Sequence, residues 1–514
     1  MKIPFPSRRI DRVPDALQTP GPGVMEPPTA PWTRWELAAL AAVIASVAAF
    51  YLLTLREGHS WGDDFALYIH HAKNLVEGRS YSDTGLIHNP AYPVVGQTPP
   101  VFPCLLAPVY YFFGLNLRAM KVEVVLFFVA ALLVIAALFR KDLPPLYLLL
   151  MIGLIGFNPI FWMNKDLVLS DFPFLFMVYG IFLLHGKVDS TGSSGIRQTS
   201  WALALGLSLY VAAATRMVGV LFVPCLWAYD LLRNRRPSRA TVLATLVFAL
   251  LYGIQYAVIP IGGTYFEQSH LTPRDLWENV VFYLLRSVWS SGHRTLAYIP
   301  AVGAWTLVGI GYKQRWVQRR SIGEIYMVAY LGALMVWSFR DARYLYPVLP
   351  LYFFYFCLGL VEVQRRLGAE GRRWVPLVVA AEVVIYVAKY TTLDFGPFPA
   401  GPMKPASQDM FRFIRDHTNP QDVLVSIKPR AVSLFTDRAA TIFQPAPDDE
   451  VLRHLRRVHV AYALVGPRAA NSHSVLARNV ESLEKLVARH PDLFELVYSN
   501  SSFHLYRCHT LGSE

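Results

Sequence analysis

The apolar residues of this chain are gathered into blocks of about twenty, which constrains its fold more than any other feature. Residues 37–55, 120–139 and 241–259 are three such blocks, each close to the roughly 20 residues a helix needs to cross the hydrocarbon of a bilayer. A water-soluble core would scatter its apolar residues at a period of 3.6 or 2. Of 514 residues, 54% are hydrophobic and only 16% charged, below the roughly 25% charged of a typical soluble domain. The chain therefore reads as a polytopic α-helical membrane protein.

The formal charge of +12 might be taken for a nucleic-acid footprint, but its distribution argues otherwise. Basic residues sit in short tufts between apolar blocks, at Arg140-Lys141, 233–239, 313–320 and 365–373. They recur at every second loop, the positive-inside pattern, with anionic lipid headgroups as the expected partners and no nucleic acid. The four cysteines, Cys104, Cys225, Cys357 and Cys508, show no paired spacing, disulfide framework or metal-ligand set. Residues 1–34 hold Arg8, Arg9, Arg12 and many prolines but no apolar signal region, and read as a disordered cytoplasmic leader.

Hydropathy and flanking charge give about eleven spans: 37–55, 120–139, 146–162, 172–184, 201–214, 218–232, 241–259, 296–310, 322–339, 344–361 and 374–388. With the N-terminus cytoplasmic, an odd number places the tail outside, in a periplasm-like compartment. A membrane domain over 35–390 then carries a long first outer loop, 57–118, and a second, 261–295. After Gly396-Pro397-Phe398-Pro399 the tail, 391–514, alternates helical and strand patterns. Residues 410–417 and 474–490 read as helices, and 423–427, 439–443, 460–465, 494–498 and 503–506 as strands. This is the pattern of a small α/β domain.

Chemistry is expected on the outer face, where the long polar segments lie. The first loop opens with Trp61-Gly62-Asp63-Asp64-Phe65-Ala66-Leu67-Tyr68. The helix that follows puts Phe65, Tyr68, Ile69 and Ala72 on one face, with His70, Lys73, Asn74 and Glu77 opposite, as in a helix lying along a membrane surface. Adjacent carboxylates repel, so one of Asp63 and Asp64 suits proton abstraction. Alternatively the pair shares a divalent cation such as Mg or Mn, or simply starts a helix. A second acidic group, Asp166 and Asp171, lies with Lys165 between the third and fourth spans; Asp171 is also placed to cap the next helix. Arg216, Arg340 and Arg343 stand at outer span ends. Such arginines either snorkel to headgroups or clamp a phosphate through their planar fork. His293 and Arg294 are further loop candidates.

Asp63-Asp64, then Tyr68, Ala72-Lys73-Asn74-Leu75 and Gly78, resemble the first-loop signature of the GT-C superfamily of membrane glycosyltransferases. That superfamily includes protein O-mannosyltransferases and the aminoarabinose transferases of lipid A. The stretch Asn89-Pro90 to Val95-Gly96-Gln97-Thr98-Pro99-Pro100 is also similar, as is Arg343-Tyr344-Leu345-Tyr346-Pro347-Val348-Leu349-Pro350 to a late segment of that family. Order and topology match over essentially the whole chain. One departure is the Asp-Asp pair itself, where many members carry Asp-Glu or Asp-x-Asp.

The resemblance implies transfer of a sugar from a polyprenyl-phosphate donor to a lipid, glycan or protein acceptor on the outer face of a bacterial plasma membrane. It implies Asp64 or Asp63 as general base and Asp171 as its support. Arg343, with Arg216, Lys165 and Tyr344, would hold the departing phosphate. Asp166, His293 and Arg340 are secondary candidates, and the Asp-Asp pair leaves open which carboxylate is the base and whether a divalent cation, Mg or Mn, takes part. The rival reading is a non-catalytic lipid-carrier flippase, transporter or envelope assembly scaffold. Against a transport path, ionisable residues inside the spans are few, Glu123 and Glu382 being the near-exceptions.

Overall fold

The computed structural model describes residues 32–89, 97–190, 195–259, 272–286, 298–467 and 475–509. The expected leader and second outer loop, with His293, fall largely or wholly outside the described residues. Ahead of the tail the helices are α1 (Arg34–Leu53), α2 (Asp64–Glu77), α3 (Val101–Phe113), α4 (Leu117–Phe139), α5 (Pro145–Gly156), α6 (Pro159–Asn164) and α7 (Asp171–Ser190). They continue with α8 (Ile196–Ala213), α9 (Phe222–Asn234), α10 (Arg239–Val258), α11 (Pro273–Val280), α12 (Tyr298–Gln318), α13 (Ile322–Met335) and α14 (Leu349–Tyr390).

Short polar residues set several of the starts. Thr33 with Glu36 and Ser321 with Glu324 form capping boxes on α1 and α13, and Asn116 and Ser238 cap α4 and α10. Each satisfies an amide N–H that has no partner within the helix. Among the described residues, five stretches are long and apolar enough to cross a bilayer: Arg34–Leu53, Leu117–Phe139, Pro145–Asn164, Asp171–Ser190 and Arg239–Val258.

The structure departs from hydropathy in two places. The first loop contains α3, an apolar helix of 13 residues, too short and too interrupted by Pro103 and Pro108 to read as a span. The block 146–162 is split into α5 and α6 at Asn158, whose following proline disfavours helical backbone and whose side chain accepts from Ile160 N at 2.9 Å. Within α14 the backbone leaves the helical region at Gly368, where φ is 56° and ψ −125°, so two helices meet there at a kink and the blocks 344–361 and 374–388 stay distinct. That left-handed backbone is one a side chain would resist.

The tail supplies α15 (Pro405–His417), β2 (Val423–Ser426), α16 (Pro429–Thr436), β3 (Ala439–Ile442), α17 (Asp448–Arg457), β4 (Val460–Val465), α18 (Val475–Arg489), β5 (Phe494–Ser499) and β6 (His504–Cys508). One strand of its sheet comes from elsewhere: β1 (Leu86–Ile87) of the first loop pairs in parallel with β3, Leu86 opposite Ala440. The order is β1-β3-β2-β4-β6-β5, parallel through β4 and closed by the antiparallel β6 and β5.

Because successive strand residues point to opposite faces, Leu424 and Leu464 join the bundle core while Val425 and Ala463 face α17 and α18. Helix α16 fills the layer between sheet and α2, with Val432 and Phe435 in the same core as Phe65 and Ile69. The first loop and the tail are therefore one packed unit.

This docking changes α2 from the surface helix its pattern predicts. Its polar face is buried too: His70, His71, Lys73 and Asn74 are all buried. Lys73 Nζ reaches Asp437 Oδ1 of the tail at 2.5 Å, and Asn74 donates to the Asp83 carbonyl at 2.7 Å. A polar face placed under another domain needs such partners, since unpaired polar groups are costly to bury.

Candidate active site

Asp63 and Asp64 enter where α2 begins. Asp63 occupies the position before the helix but makes no side-chain capping bond, so capping does not account for it. Its Oδ1 is buried without a hydrogen-bond partner. Burial raises the Asp63 carboxyl above its ordinary range, with repulsion from Asp64 adding to it, despite the opposing pull of Arg430 and Lys428 and a bond from Ala431 N–H.

Asp64 is the opposite case. Burial pushes its carboxyl up, but Arg430, Arg343, Arg216 and Lys428 together outweigh that and hold it below its ordinary range. Its side chain is nevertheless 51% exposed, so an ionised carboxylate faces open space while gripped from behind.

Three segments bring the opposing charges. Arg343 lies in a short 3-10 turn, Ala342–Leu345, begun by Asp341, whose side chain accepts from Arg343 N. Its guanidinium is shared among three carboxylates: Asp341 Oδ2 at 2.9 Å, Asp64 Oδ2 at 3.7 Å and Asp171 Oδ1's neighbour Oδ2 at 3.8 Å. Arg216 stands in extended backbone, just after α8 and before the 3-10 turn Met217–Leu221, and pairs with Asp171 Oδ1 at 2.6 Å. Burial would weaken the basicity of both guanidiniums, yet Asp171 together with Tyr68 and Tyr330 at Arg216, and with Tyr344, Asp341 and Asp64 at Arg343, outweighs it and keeps both above their ordinary value.

Tyr344 lies beside both arginines, their guanidinium carbons 5.4 and 5.8 Å from its ring centre, within cation–π range. Asp171 opens α7, and its neighbour Ser170 bonds Tyr68 of α2 at 3.1 Å, which ties the bundle to the first loop. Asp63, Asp64, Asp171, Arg216, Arg343 and Tyr344 thus meet in one cluster.

Lys165, Asp166 and Arg340 do not meet there. Lys165 and Asp166 are fully buried against each other at 2.5 Å. Lys165 also donates to the Thr54 carbonyl at 2.6 Å, and Asp166 accepts from Arg56 N at 2.9 Å. This pair fastens α6 to the end of α1 and has no surface to offer a phosphate. Arg340 is occupied by α11, with Asp275 at 2.9 Å and Glu278 at 2.7 Å.

One member was not foreseen. Arg430, from the first turn of α16 in the tail, donates from Nη1 to Asp64 Oδ1 at 3.0 Å and brings Nε within 3.9 Å of Asp63 Oδ2. Nothing in Lys428-Pro429-Arg430 signals this; only the folding of the tail onto α2 does.

The donor set does not fit a divalent cation at Asp63 and Asp64. Among the described residues no group of three His, Cys, Asp or Glu side chains is arranged to hold a metal ion, and the carboxylates of the cluster already face guanidiniums that would repel one. Arginines shared loosely between carboxylates suit an incoming phosphate, which takes planar N–H pairs in the same way.

No family model matches the sequence, and no curated protein matches it significantly. Solved structures do. The fold is similar to ArnT from Cupriavidus metallidurans bound to undecaprenyl phosphate, at 14% identity and a TM-score of 0.60, covering 93% of this chain and 99% of that one. It is similar to the oligosaccharyltransferase AglB from Archaeoglobus fulgidus, at 12% identity and 0.59, over 93% of this chain and 74% of that. Arabinofuranosyltransferase AftD from Mycobacteria aligns at 13% and 0.57, over 95% of this chain and 42% of that. The chain has the fold of these GT-C glycosyltransferases.

Proposed function

We propose that the protein is a membrane glycosyltransferase that moves a sugar from a polyprenyl-phosphate carrier to a hydroxyl acceptor (lipid, glycan or protein) at the outer face of the membrane. The observation that carries this reading is the shared grip of Arg343 on Asp64, Asp171 and Asp341. The lipid phosphate known in the ArnT neighbour supplies the class of donor.

In this reading Asp64 takes the proton of the acceptor hydroxyl, and the oxygen attacks the anomeric carbon. The bond from that carbon to the phosphate oxygen breaks, and its electron pair leaves on the lipid phosphate. Arg343 and Arg216 neutralise that charge where it develops. As Arg343 moves to the phosphate, Asp64 loses one of its cations and becomes a better base. Asp171 keeps Arg216 in place meanwhile.

The reading includes about eleven spans, a cytoplasmic N-terminus and the site on the outer side, motivated by the basic tufts at alternate loops. Lipid-linked substrates reach a site at the membrane boundary by lateral diffusion, which explains its position at the helix ends.

Incubation of the purified protein with a panel of polyprenyl-phosphate sugars and membrane-extract acceptors tests the proposal. Release of the lipid phosphate together with a glycosylated product is the expected result. Binding of the carriers with no release from any member of the panel would support a flippase or scaffold instead.

A further inference from the structure

Two guanidiniums hold Asp64, and they are held in different ways. Arg343 lies in a short turn and divides itself among three carboxylates, two of them beyond 3.5 Å. Arg430 makes a direct hydrogen bond to Asp64 at 3.0 Å, with Asp63 at 3.9 Å and its own side chain only 8% exposed. The segment carrying it is pinned on every side. Ser433 Oγ donates to the Thr84 carbonyl at 2.8 Å, Ala440 N to the Gly85 carbonyl at 2.8 Å, and Lys73 grips Asp437 at 2.5 Å. A Cβ at Gly85 would collide with Ser433 Oγ, and its φ is +63°, so the close approach of loop and tail uses a residue with neither obstacle.

From this asymmetry we propose that Arg430 is a positioning residue of the active site, fixing Asp64 while Arg343 departs to the donor phosphate, and that the C-terminal domain is thereby a working part of the site. The proposal rests on the reading of Asp64 as the base. A carboxylate released by one arginine and held by no other would swing in its half-exposed space. It would also sit beside Asp63, whose repulsion favours protonation. Arg430 prevents both. The charged groups around Asp64 are Arg430 of α16 and Lys428 just before it, Arg343 of the 3-10 turn and Asp341 just before it, Arg216 before the turn Met217–Leu221, Asp171 at the start of α7, and Asp63. Of these cations, Arg430 alone combines a direct bond to Asp64 with an anchor outside the bundle.

The test uses the full-length chain and three variants, Arg430→Met, Arg430→Lys and Asp64→Asn. Infrared difference titration, with Asp64→Asn subtracted, follows the Asp64 proton without requiring turnover. Arg430→Met should raise its midpoint by about one pH unit or more, and Arg430→Lys should restore most of it. With any polyprenyl-phosphate sugar that the wild type turns over, Arg430→Met should lower kcat by about a hundredfold at the acidic end. That loss should narrow at higher pH, with undecaprenyl phosphate binding unchanged within about twofold, since Arg343 and Arg216 hold the phosphate.

An unmoved Asp64 midpoint in Arg430→Met overturns the proposal. So does a loss of kcat that is equal at every pH and equal in the Lys variant, which marks a packing role only. If Arg430→Met does not fold, Arg430→Gln, which also removes the charge but keeps a polar side chain, is read in the same way: a raised Asp64 midpoint supports the proposal, and an unmoved one overturns it. Full activity of Asp64→Asn is a different failure, because it removes the base and leaves the titration result standing on its own.

Discussion

Arg430 and Asp64 are joined by a 3.0 Å hydrogen bond across 366 residues of sequence. One lies in the tail and the other at the head of the first-loop helix. Neither side of the cluster is complete in its own domain: the bundle supplies Asp171, Arg216 and Arg343, and the tail supplies the cation that faces them across Asp64. The strand β1, lent by the first loop to the tail's sheet, keeps these two halves in register.

The arginine of the 3-10 turn gives the most direct test of phosphate recognition. Arg343→Lys keeps the charge but replaces a planar fork with a point charge. We expect kcat/KM for a lipid-phosphate donor to fall by about tenfold to a hundredfold, with the melting temperature unchanged. Steady-state assays of lipid phosphate release check it, and an unaltered kcat/KM would mean that Arg343 serves only its three carboxylates.

The buried Lys165–Asp166 pair should respond as structure and not as chemistry. Asp166→Asn leaves the Lys165 ammonium fully buried beside a neutral amide, a change that costs about 3–5 kcal/mol when one partner of a buried pair is removed. Thermal unfolding in detergent should show a large loss of stability. Any protein that survives purification should keep its donor affinity. Normal stability with lost donor binding would return Lys165 to the phosphate site.

Much of this was legible in the sequence because it is local. The apolar blocks, capping residues such as Ser321 with Glu324, and the strand pattern over Val460–Val465 each depend on neighbours in the chain. The acidic pair and the arginines at span ends stood out for the same reason, since charge beside an apolar block is conspicuous. What escaped was set by contacts between distant segments. The pattern of α2 predicts a membrane-surface helix because the helix is amphipathic; that its polar face lies under α16 depends on Asp437 and Ser433 arriving from the tail. Lys165 and Arg216 look alike in sequence, a cation beside apolar residues at a span end. Only the fold gives one to Asp166 and Thr54 and the other to the cluster.

Acid should destabilise the first loop and its seat on the bundle. Burial pushes His59 down to about 3, and His70 and His71 to about 4, from an ordinary 6.5. His59 Nε2 accepts from Val168 N at 3.1 Å and His71 Nε2 from Thr98 N at 3.3 Å, so a proton there ends each bond. The unfolded chain binds these protons below pH 6.5 and the folded chain does not. Stability from these groups is therefore complete above pH 6.5 and declines as pH falls towards 4. Between pH 7.5 and pH 5 the loss is on the order of 2 kcal/mol for each histidine. Melting curves across that range check the slope, and His71→Gln should flatten it. A melting temperature that does not change between these pH values would contradict the buried neutral assignment.

The central claim is that a carboxylate at the head of α2 is the base of a glycosyl transfer. Asp64→Asn keeps the shape and the hydrogen-bonding oxygen opposite Arg430 while removing charge and basicity. The measurement is kcat for polyprenyl phosphate released by Asp64→Asn, beside wild type and Asp63→Asn, with folding verified by thermal unfolding. A loss of about a hundredfold or more is expected in Asp64→Asn, with a smaller loss in Asp63→Asn, whose carboxyl is more deeply buried. Wild-type release by both variants would contradict it and leave the membrane fold without this chemistry.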